Sequence, residues 1–205
     1  MRRVGITGVV LAGGRATRWD GRDKGLIEVS GRPMIGHVLE ALEPQVEQVI
    51  INANRNLDEY RAFGVPVVTD ARGDFLGPLA GIASGLAAAT TEWVAIVPCD
   101  SPLLAADCVD RLASARAQDE STDIAVAHDG ERIQPVFALI RRRLVEDLDA
   151  FLGSGGRKID QWYGQQRMQL VDFSDRPDNF VNVNRPEDLD LVEARMKQRM
   201  SANDD

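Results

Sequence analysis

The sequence predicts an α/β fold, with helices on both faces of a mostly parallel, doubly wound sheet in three layers. Apolar, β-rich runs alternate with helical segments along the chain, a pattern typical of right-handed βαβ crossovers. The first run, Thr7–Leu11, indicates a central strand that is buried on both faces. The chain has 205 residues, 44% of them apolar, which suits a single domain with a sizeable core.

The remaining elements follow from periodicity and from their end residues. Pro33 opens a predicted helix to Leu42, because proline is accommodated at a helix start and the apolar residues after it share one face. Further strands are predicted at Gln48–Ala53, Pro66–Thr69, Trp93–Val97, Ile124–Ala127, Val136–Ile140 and Met168–Phe173. Further helices are predicted at Leu57–Phe63, from Gly77 to Ala89, at Ala105–Ala117 and Arg141–Leu152, around Trp162, and from Pro186 onward.

A glycine-rich loop follows the first predicted strand. Gly13 and Gly14 let the backbone approach a ligand closely, because glycine has no side chain and adopts positive φ. Beyond them the loop supplies the cations Arg15, Arg18 and Lys24. A polyanion such as a triphosphate requires backbone N–H donors and fixed cations in this arrangement. The glycine spacing matches neither GxxxxGK[ST] nor GxGxxG, so the loop predicts a phosphate site of another kind, or else an ordinary exposed turn.

Polar residues also close three other predicted strands. Asn52 lies at the end of one such strand, and Asp70 and Asp100 come after the ends of two others. Ligands of open α/β sheets lie beyond the carboxyl ends of the strands. With the paired glycines, four strand ends point to one place, which favours a nucleotide site over a structural turn. Asn52 suits a base or a phosphate, and Asp70 suits a guanine edge or a ribose. Each residue alone is also a common turn cap.

Two residues are the strongest candidates for chemistry. Asp100 is predicted to hold Mg²⁺, which takes one or two carboxylates and completes its shell with water and substrate phosphates. The alternative is a cap or turn before the next helix. Lys24 is predicted to stabilise charge at a phosphoryl centre, with Arg15 and Arg18 on the leaving phosphates. The alternative for these three cations is a solvated surface position.

Composition restricts the class of partner and the compartment. A net charge of −8 and a pI near 4.9 argue against a nucleic-acid partner, which usually requires a basic face. Cys99 and Cys108 are too few for a disulfide framework or a zinc site, so both are predicted to be reduced. Since no apolar run approaches the roughly 18 residues of a bilayer span, we expect a cytoplasmic protein without a membrane partner.

Several motifs together carry a family resemblance. They occur in family order over roughly residues 7 to 192 and are specific as a set. The segments are Leu11-Ala12-Gly13-Gly14 with Arg18, Asp23-Lys24-Gly25, Ile51-Asn52-Ala53-Asn54-Arg55, Asp70, Gly77-Pro78-Leu79-Ala80-Gly81, Pro98-Cys99-Asp100-Ser101-Pro102, Gln134-Pro135, and Asn182-Val183-Asn184 with Glu187-Asp188-Leu189. In these segments the chain resembles the bacterial molybdenum cofactor guanylyltransferases, also called molybdopterin-guanine dinucleotide synthases. Trp19-Asp20 departs from the Met-Gly that is more common there.

The resemblance implies a Rossmann-like nucleotidyltransferase fold and a set of site residues. The implied domain spans 1–205, with a GTP-binding half at about 1–117, a pterin-side half at about 118–192, and a C-terminal helix whose tail is frayed. Mg²⁺ is expected on Asp100. The expected GTP contacts are Leu11, Ala12, Gly13, Gly14, Arg15, Lys24, Asn52, Asp70 and Asp100, with Lys24, Asp100 and Arg18 as catalytic residues. The expected pterin contacts are Gly77, Pro78, Gly81, Gln134, Pro135, Asn182 and Asn184.

The implied reaction joins GMP to a pterin. The terminal phosphate of molybdopterin attacks the α-phosphorus of GTP and releases pyrophosphate. Because the second pKa of a phosphate monoester is about 6, the attacking group is mostly ionised at pH 7 and needs no strong general base. Transient contacts with molybdenum insertion proteins and apo-molybdoenzymes are also implied.

Two classes of alternative remain at this stage. One is a molybdopterin cytidylyltransferase or a sugar-phosphate nucleotidyltransferase, for which the paired glycines after Leu11-Ala12 and the Pro-Cys-Asp turn are less typical. The other is a non-catalytic, GTP-binding adaptor that delivers the cofactor. The presence of both Lys24 and Asp100 favours catalysis over the adaptor.

Overall fold

The computed structural model describes residues 5–13, 21–71 and 77–203, with side chains described up to residue 199. The strands are β1 Ile6–Leu11, β2 Glu28–Val29, β3 Arg32–Pro33, β4 Gln48–Asn52, β5 Val67–Val68, β6 Trp93–Pro98, β7 Ile124–His128, β8 Ile133–Arg141 and β9 Met168–Asp172. The α-helices are α1 Met34–Leu42, α2 Leu57–Arg61, α3 Pro78–Ala88, α4 Cys108–Gln118, α5 Val145–Gly153, α6 Ile159–Tyr163 and α7 Glu187–Asn203. Every strand and helix predicted from the sequence has a counterpart among them.

The main sheet has seven strands in the order β5-β4-β1-β6-β8-β7-β9. Strand β8 is antiparallel to β6 and β7, and the other pairs in this sheet are parallel. The prediction of a mostly parallel sheet is therefore confirmed. The exception has a simple cause: only residues 129–132 join β7 to β8. A connection this short can form a hairpin but cannot make the crossover that parallel strands require.

The core is divided between the two faces of the sheet, which confirms the three layers. On one face, Ile6 and Val10 of β1 pack in an apolar cluster with α1 and α4. On the other face, Val9 packs in a second cluster with α3, α5 and α6. Strand β1 is thus buried from both sides, as its apolar sequence indicates.

Two helices begin three or more residues later than predicted, because the backbone of their expected first residues forms tertiary hydrogen bonds instead. Arg141 was expected to start a helix, but it extends β8 and pairs with Trp93 of β6. Ala105 was expected to start α4, but its N–H donates to Asn179 Oδ1 over 2.6 Å, and α4 begins at Cys108. In both cases a partner distant in sequence satisfies the backbone group that a helix would otherwise use.

The C-terminal helix α7 reaches Asn203, so it includes part of the tail that was expected to fray. Asp204 and Asp205 lie outside the described residues. Across the described part of the chain, no helix has both the length and the apolar character needed to cross a bilayer.

Glycines bring α3 unusually close to the central strand. A Cβ built on Gly85 would lie 2.8 Å from Val9 Cγ1, and one built on Gly81 would lie 3.0 Å from Leu11 Cδ2. Separations below 3 Å are not sustained between carbon atoms, so the helix could not hold this position with alanine at residue 85. The close packing places the start of α3, Gly77-Pro78, beside the carboxyl end of β1.

We predict that Gly85→Ala lowers the free energy of unfolding by about 1–2 kcal/mol, because overpacking against the stiff valine exceeds the gain in helix propensity. Urea denaturation measures the effect. Gly36→Ala is the matched control, since its added Cβ would meet only the flexible Arg32 side chain. Gly36→Ala should be neutral or stabilising, and equal effects of the two substitutions would contradict the close-packing argument.

Candidate active site

A cavity of about 610 Å³ opens where β1, β4 and β6 end. This is the sheet edge at which the sequence predicts convergence, and residues from all three strand ends line the cavity. Its lining contains these predicted nucleotide contacts: Leu11, Ala12, Gly13, Lys24, Asn52, Asp70 and Asp100. The predicted contacts Gly14, Arg15 and Arg18 lie outside the described residues.

Lys24 and Asp100 meet inside this cavity. Lys24 Nζ donates to Asp100 Oδ2 over 3.1 Å and to Asn184 Oδ1 over 2.7 Å. The two charged side chains are 24% and 15% exposed, so a ligand can reach them while bulk water screens them only partly. Lys24 therefore does not occupy the solvated surface position that was its alternative.

Backbone contacts hold Asp100 at the end of β6. The Cys99 N–H donates to Leu11 O over 3.1 Å, which carries the pairing with β1 one residue past the strand. The Val183 N–H donates to Asp100 O over 2.9 Å, so the segment 182–184 lies along the turn. Asp107, and not Asp100, is at the N-terminal boundary of α4. The alternative assignment of Asp100 was a helix cap or a turn residue: the cap is excluded, and Asp100 does lie in a turn.

A second polar cluster lies at the ends of β4 and β5. Asn52 Nδ2 donates to Asp70 Oδ1 over 2.9 Å, and Asn54 Nδ2 donates to Asp70 Oδ2 over 2.7 Å. The Asp70 N–H in turn donates to Asn54 Oδ1 over 2.8 Å. The two amides hold the carboxylate in one orientation, and each of its oxygens keeps a further lone pair for a ligand.

The polar cluster leaves no room for a side chain at Gly81. A Cβ on Gly81 would lie 2.4 Å from Asn52 Oδ1, whereas one on Gly13 would make a tight contact of 3.1 Å with Asn54 Nδ2. The Ala12 N–H also donates to Asn52 O over 2.7 Å, which fixes the start of the glycine-rich loop against β4. Gly81 is therefore needed for the cluster to keep its shape.

The predicted pterin contacts divide into two groups. Gly77, Pro78, Gly81 and Asn182 line the same cavity as Lys24. Asn184 binds Lys24 directly, as described above. Gln134 and Pro135 are absent from the cavity lining, although their neighbour Val136 is part of it.

The two residues outside the lining have protein partners. Gln134 Nε2 donates to Asp129 Oδ2, and Pro135 O accepts from the Tyr163 hydroxyl over 2.8 Å. Both contacts hold the start of β8 beside the hairpin and α6. The structure thus brings Gln134 and Pro135 near the cavity by way of Val136, without placing their side chains in its wall.

Five residues of the cavity wall were not among the predicted contacts. They are Asp23, Asn54, Pro98, Cys99 and Val136. Each adjoins a residue that was predicted, or belongs to the same short motif, so proximity in sequence was the available signal. Nothing in the sequence indicates that Asp23 points inward, because a carboxylate beside a lysine is usually solvated.

Burial raises the pKa values of Asp23 and Cys99 in the cavity wall. Desolvation raises the pKa of Asp23 above its usual value of 3.8, even though the Tyr60 hydroxyl donates to its Oδ1 over 2.6 Å. Burial also raises the pKa of the Cys99 thiol, and the nearby Asp100 and Asp23 carboxylates raise it further. Cys99 is therefore a protonated thiol at neutral pH and is not a nucleophile.

The described residues offer few protein ligands for a metal ion. No group of three or more His, Cys, Asp or Glu side chains within them has a metal-binding arrangement. Asp100 and Asp23 are the carboxylates near Lys24 in the cavity wall. A cation here would take most of its ligands from substrate phosphates and water. Mg²⁺ commonly binds in this way, whereas Zn²⁺ is usually held by three or four protein side chains.

Comparison with known proteins identifies the family. The family model described as MobA-like NTP transferase domain matches residues 8–168. A molybdenum cofactor guanylyltransferase of Vibrio campbellii is 52% identical over 181 residues, which are 88% of this chain and 91% of that relative. The chain belongs to the molybdenum cofactor guanylyltransferase family. A Shewanella sediminis member is 47% identical over 89% of this chain and 92% of its own.

Solved structures support the same fold. Molybdopterin-guanine dinucleotide biosynthesis protein A from Archaeoglobus fulgidus superposes with a TM-score of 0.76 at 19% identity, covering 94% of this chain and 99% of its own. A nucleotidyl transferase from Methanothermobacter thermautotroptrophicus gives a TM-score of 0.76 at 20% identity, covering 96% of this chain and 100% of its own. The Rossmann-like nucleotidyltransferase fold that the resemblance implied is confirmed.

The raised pKa of Asp23 makes a prediction about pH. A carboxyl whose folded-state pKa exceeds 3.8 holds its proton more tightly in the folded protein than in the unfolded chain. Its contribution to the free energy of unfolding therefore falls as pH rises from below 3.8 through the folded-state pKa. Asp23→Asn removes the titrating group and with it this loss of stability. The free energy of unfolding of the variant, relative to wild type, should therefore rise between about pH 3 and pH 7 in urea titrations.

Asp123→Asn is the matched control with the opposite sign. Burial raises the pKa of Asp123, but the Arg167 and Arg143 guanidiniums outweigh burial and leave it below 3.8. Its stabilisation is present above that value and is lost as pH falls through the folded-state pKa. The relative stability of Asp123→Asn should therefore fall with rising pH, and parallel curves for the two variants would contradict the assignment.

Proposed function

We propose that the protein transfers GMP from GTP to the terminal phosphate of molybdopterin, releasing pyrophosphate and forming the molybdopterin guanine dinucleotide cofactor. The observation that carries this proposal is the contact of Lys24 with Asp100 in the cavity at the carboxyl ends of the central strands. The contact supports the proposal because a triphosphate at the carboxyl ends of the strands would need both a cation and an oxygen ligand for Mg²⁺.

GTP would lie across the ends of β1 and β4. The backbone from Leu11 to Gly13, with the adjoining Gly14 and Arg15, would surround the phosphates. Asp70 would accept from the paired N–H donors of the guanine edge, since Asn52 and Asn54 hold its carboxylate in one orientation. Guanine presents two adjacent donors on that edge, whereas cytosine does not.

The chemistry requires placement and charge stabilisation more than proton transfer. The attacking phosphate is already ionised, and no activated nucleophile is needed, which agrees with the protonated state of Cys99. Lys24 would offset charge on the phosphates as pyrophosphate leaves, assisted by Arg18. Asn184 would orient the Lys24 ammonium, because its Oδ1 accepts from Nζ.

Mg²⁺ is the cation that suits the residues present. Asp100 would hold it, with water and phosphate oxygens as the other ligands. When bound, the ion neutralises phosphate charge and orients the triphosphate. Asp100 also accepts from Lys24, so the carboxylate would set the spacing between the two cations.

The pterin would occupy the part of the cavity that GTP leaves free. Its expected contacts Gly77, Pro78, Gly81 and Asn182 line the cavity, and Gln134 and Pro135 precede the lining residue Val136. Ser101 Oγ donates to Asn182 Oδ1, which ties Asn182 to the Asp100 turn. A cytoplasmic location, and transient contacts with molybdenum insertion proteins and apo-molybdoenzymes, complete the proposal.

The direct test is an assay of the purified protein with molybdopterin, Mg²⁺ and either GTP or CTP. We expect pyrophosphate release and dinucleotide formation with GTP, and turnover with CTP at least about 10²-fold lower, because unpaired buried polar groups reject the wrong base. Exclusive use of CTP would favour the cytidylyltransferase. GTP binding without turnover would favour the adaptor.

Lys24→Met is expected to lower kcat about 10²–10³-fold, the usual effect of removing one preorganised charge-stabilising group. Single-turnover assays with GTP and molybdopterin measure it. Lys197→Met on α7 is the matched control, since it also replaces a lysine by methionine but at an exposed position on the last helix. Wild-type kcat in Lys24→Met, or a comparable loss in Lys197→Met, would remove Lys24 from the mechanism.

A further inference from the structure

One buried polar contact near the site is unused by the mechanism above. Tyr60 is fully buried in the apolar cluster that packs against α1 and α4, yet its hydroxyl reaches the segment that carries Lys24. We propose that Tyr60 is a positioning residue that holds the Lys24 turn in its active geometry through Asp23. The inference rests on the proposed function, in which Lys24 stabilises charge.

The hydroxyl and the lysine are connected through two residues. Tyr60 OH donates to Asp23 Oδ1 over 2.6 Å in a buried setting. Asp23 is the residue before the 3₁₀ turn Lys24–Leu26, and its carbonyl accepts from the Leu26 N–H over 3.1 Å. One carboxylate residue thus joins the helix α2 to the first backbone bond of the turn that carries Lys24.

The turn is also confined by direct packing. A Cβ on Gly25 would lie 2.7 Å from the Tyr60 hydroxyl oxygen and 3.3 Å from Cys99 Sγ. The backbone after Lys24 therefore packs directly against both the tyrosine and the residue that precedes Asp100. This confinement aligns the turn with the Asp100 segment and keeps Lys24 Nζ within 3.1 Å of the carboxylate.

Energetics explain why the hydroxyl is needed. Asp23 is 5% exposed, and its carboxylate accepts from the Tyr60 hydroxyl and from the Gly25 backbone N–H. Loss of one of these donors from a buried carboxylate is costly. Without the Tyr60 donor, the carboxylate would gain solvation by moving outward, and the Lys24 turn would move with it. A displacement of about 1 Å is enough to reduce the rate of a positioned reaction about 10²-fold.

The test uses Tyr60→Phe, which keeps the aromatic ring and removes only the donor. We expect kcat to fall about tenfold or more, with a smaller change in KM for GTP, because Lys24 acts on the transition state. Thr91→Val is the matched control: its buried hydroxyl pairs with Thr7 Oγ1 over 2.7 Å and donates to Trp93 O over 2.9 Å, at the opposite end of the sheet. Its kcat should match that of wild type.

A double-mutant cycle separates positioning from general stability. If Tyr60 acts through Lys24, Tyr60→Phe should cause no further loss of kcat in a Lys24→Met background. Independent, multiplying losses would overturn the proposal, as would equal losses in Tyr60→Phe and Thr91→Val. If Tyr60→Phe does not fold, Asp23→Ala removes the acceptor and should give the same non-additivity with Lys24→Met.

The two proposals fail in different ways. Absence of guanylyl transfer by the wild-type protein would overturn the proposed function. Normal transfer by the wild type together with an unaltered kcat in Tyr60→Phe would overturn only the positioning role.

Discussion

The contact of Lys24 with Asp100 and Asn184 is the interaction on which the site depends. Asp100 lies 76 positions after Lys24 in the sequence and Asn184 lies 160 positions after it, yet both bind the same ammonium group. An ammonium and a carboxylate that are mostly withdrawn from water gain from this arrangement only if their hydrogen bonds are also satisfied. The amide of Asn184 supplies that second acceptor. The three segments are therefore held together around one cation.

The sheet explains why these segments meet. Strand β1 lies between β4 and β6, so the parallel order brings the glycine-rich loop, Asn52 and Asp100 to adjacent strand ends. Gly81 and Gly85 let α3 lie against β1, and the close approach leaves space for the amide of Asn52. In the polar cluster around Asp70, the side chains of Asn52 and Asn54 donate to the carboxylate, and Asn54 also accepts from the Asp70 N–H. The close packing of α3 on β1 and the hydrogen bonding of Asn52 thus both depend on the absence of a side chain at Gly81.

The site is suited to phosphoryl transfer without a strong base. Its groups are a paired cation, an oriented carboxylate and a backbone without side chains at Gly13 and Gly81, and such groups can act by position and charge. Burial keeps the Cys99 thiol protonated and removes a competing nucleophile from the cavity wall. The same desolvation makes Asp23 dependent on Tyr60. The apolar core and the polar site are therefore coupled, because the core residue Tyr60 binds Asp23 next to Lys24.

The sequence by itself determined the alternation of elements, the parallel central strands and the residues at their carboxyl ends, because periodicity and turn residues are local properties. It also predicted that Lys24 and Asp100 share a cleft. Only the tertiary structure decided that β8 runs antiparallel, that Arg141 extends a strand, that Asn54 orients Asp70, and that Asp23 points inward to Tyr60. Each of these depends on a partner distant in sequence, and burial, not local preference, determines which partner satisfies a polar group.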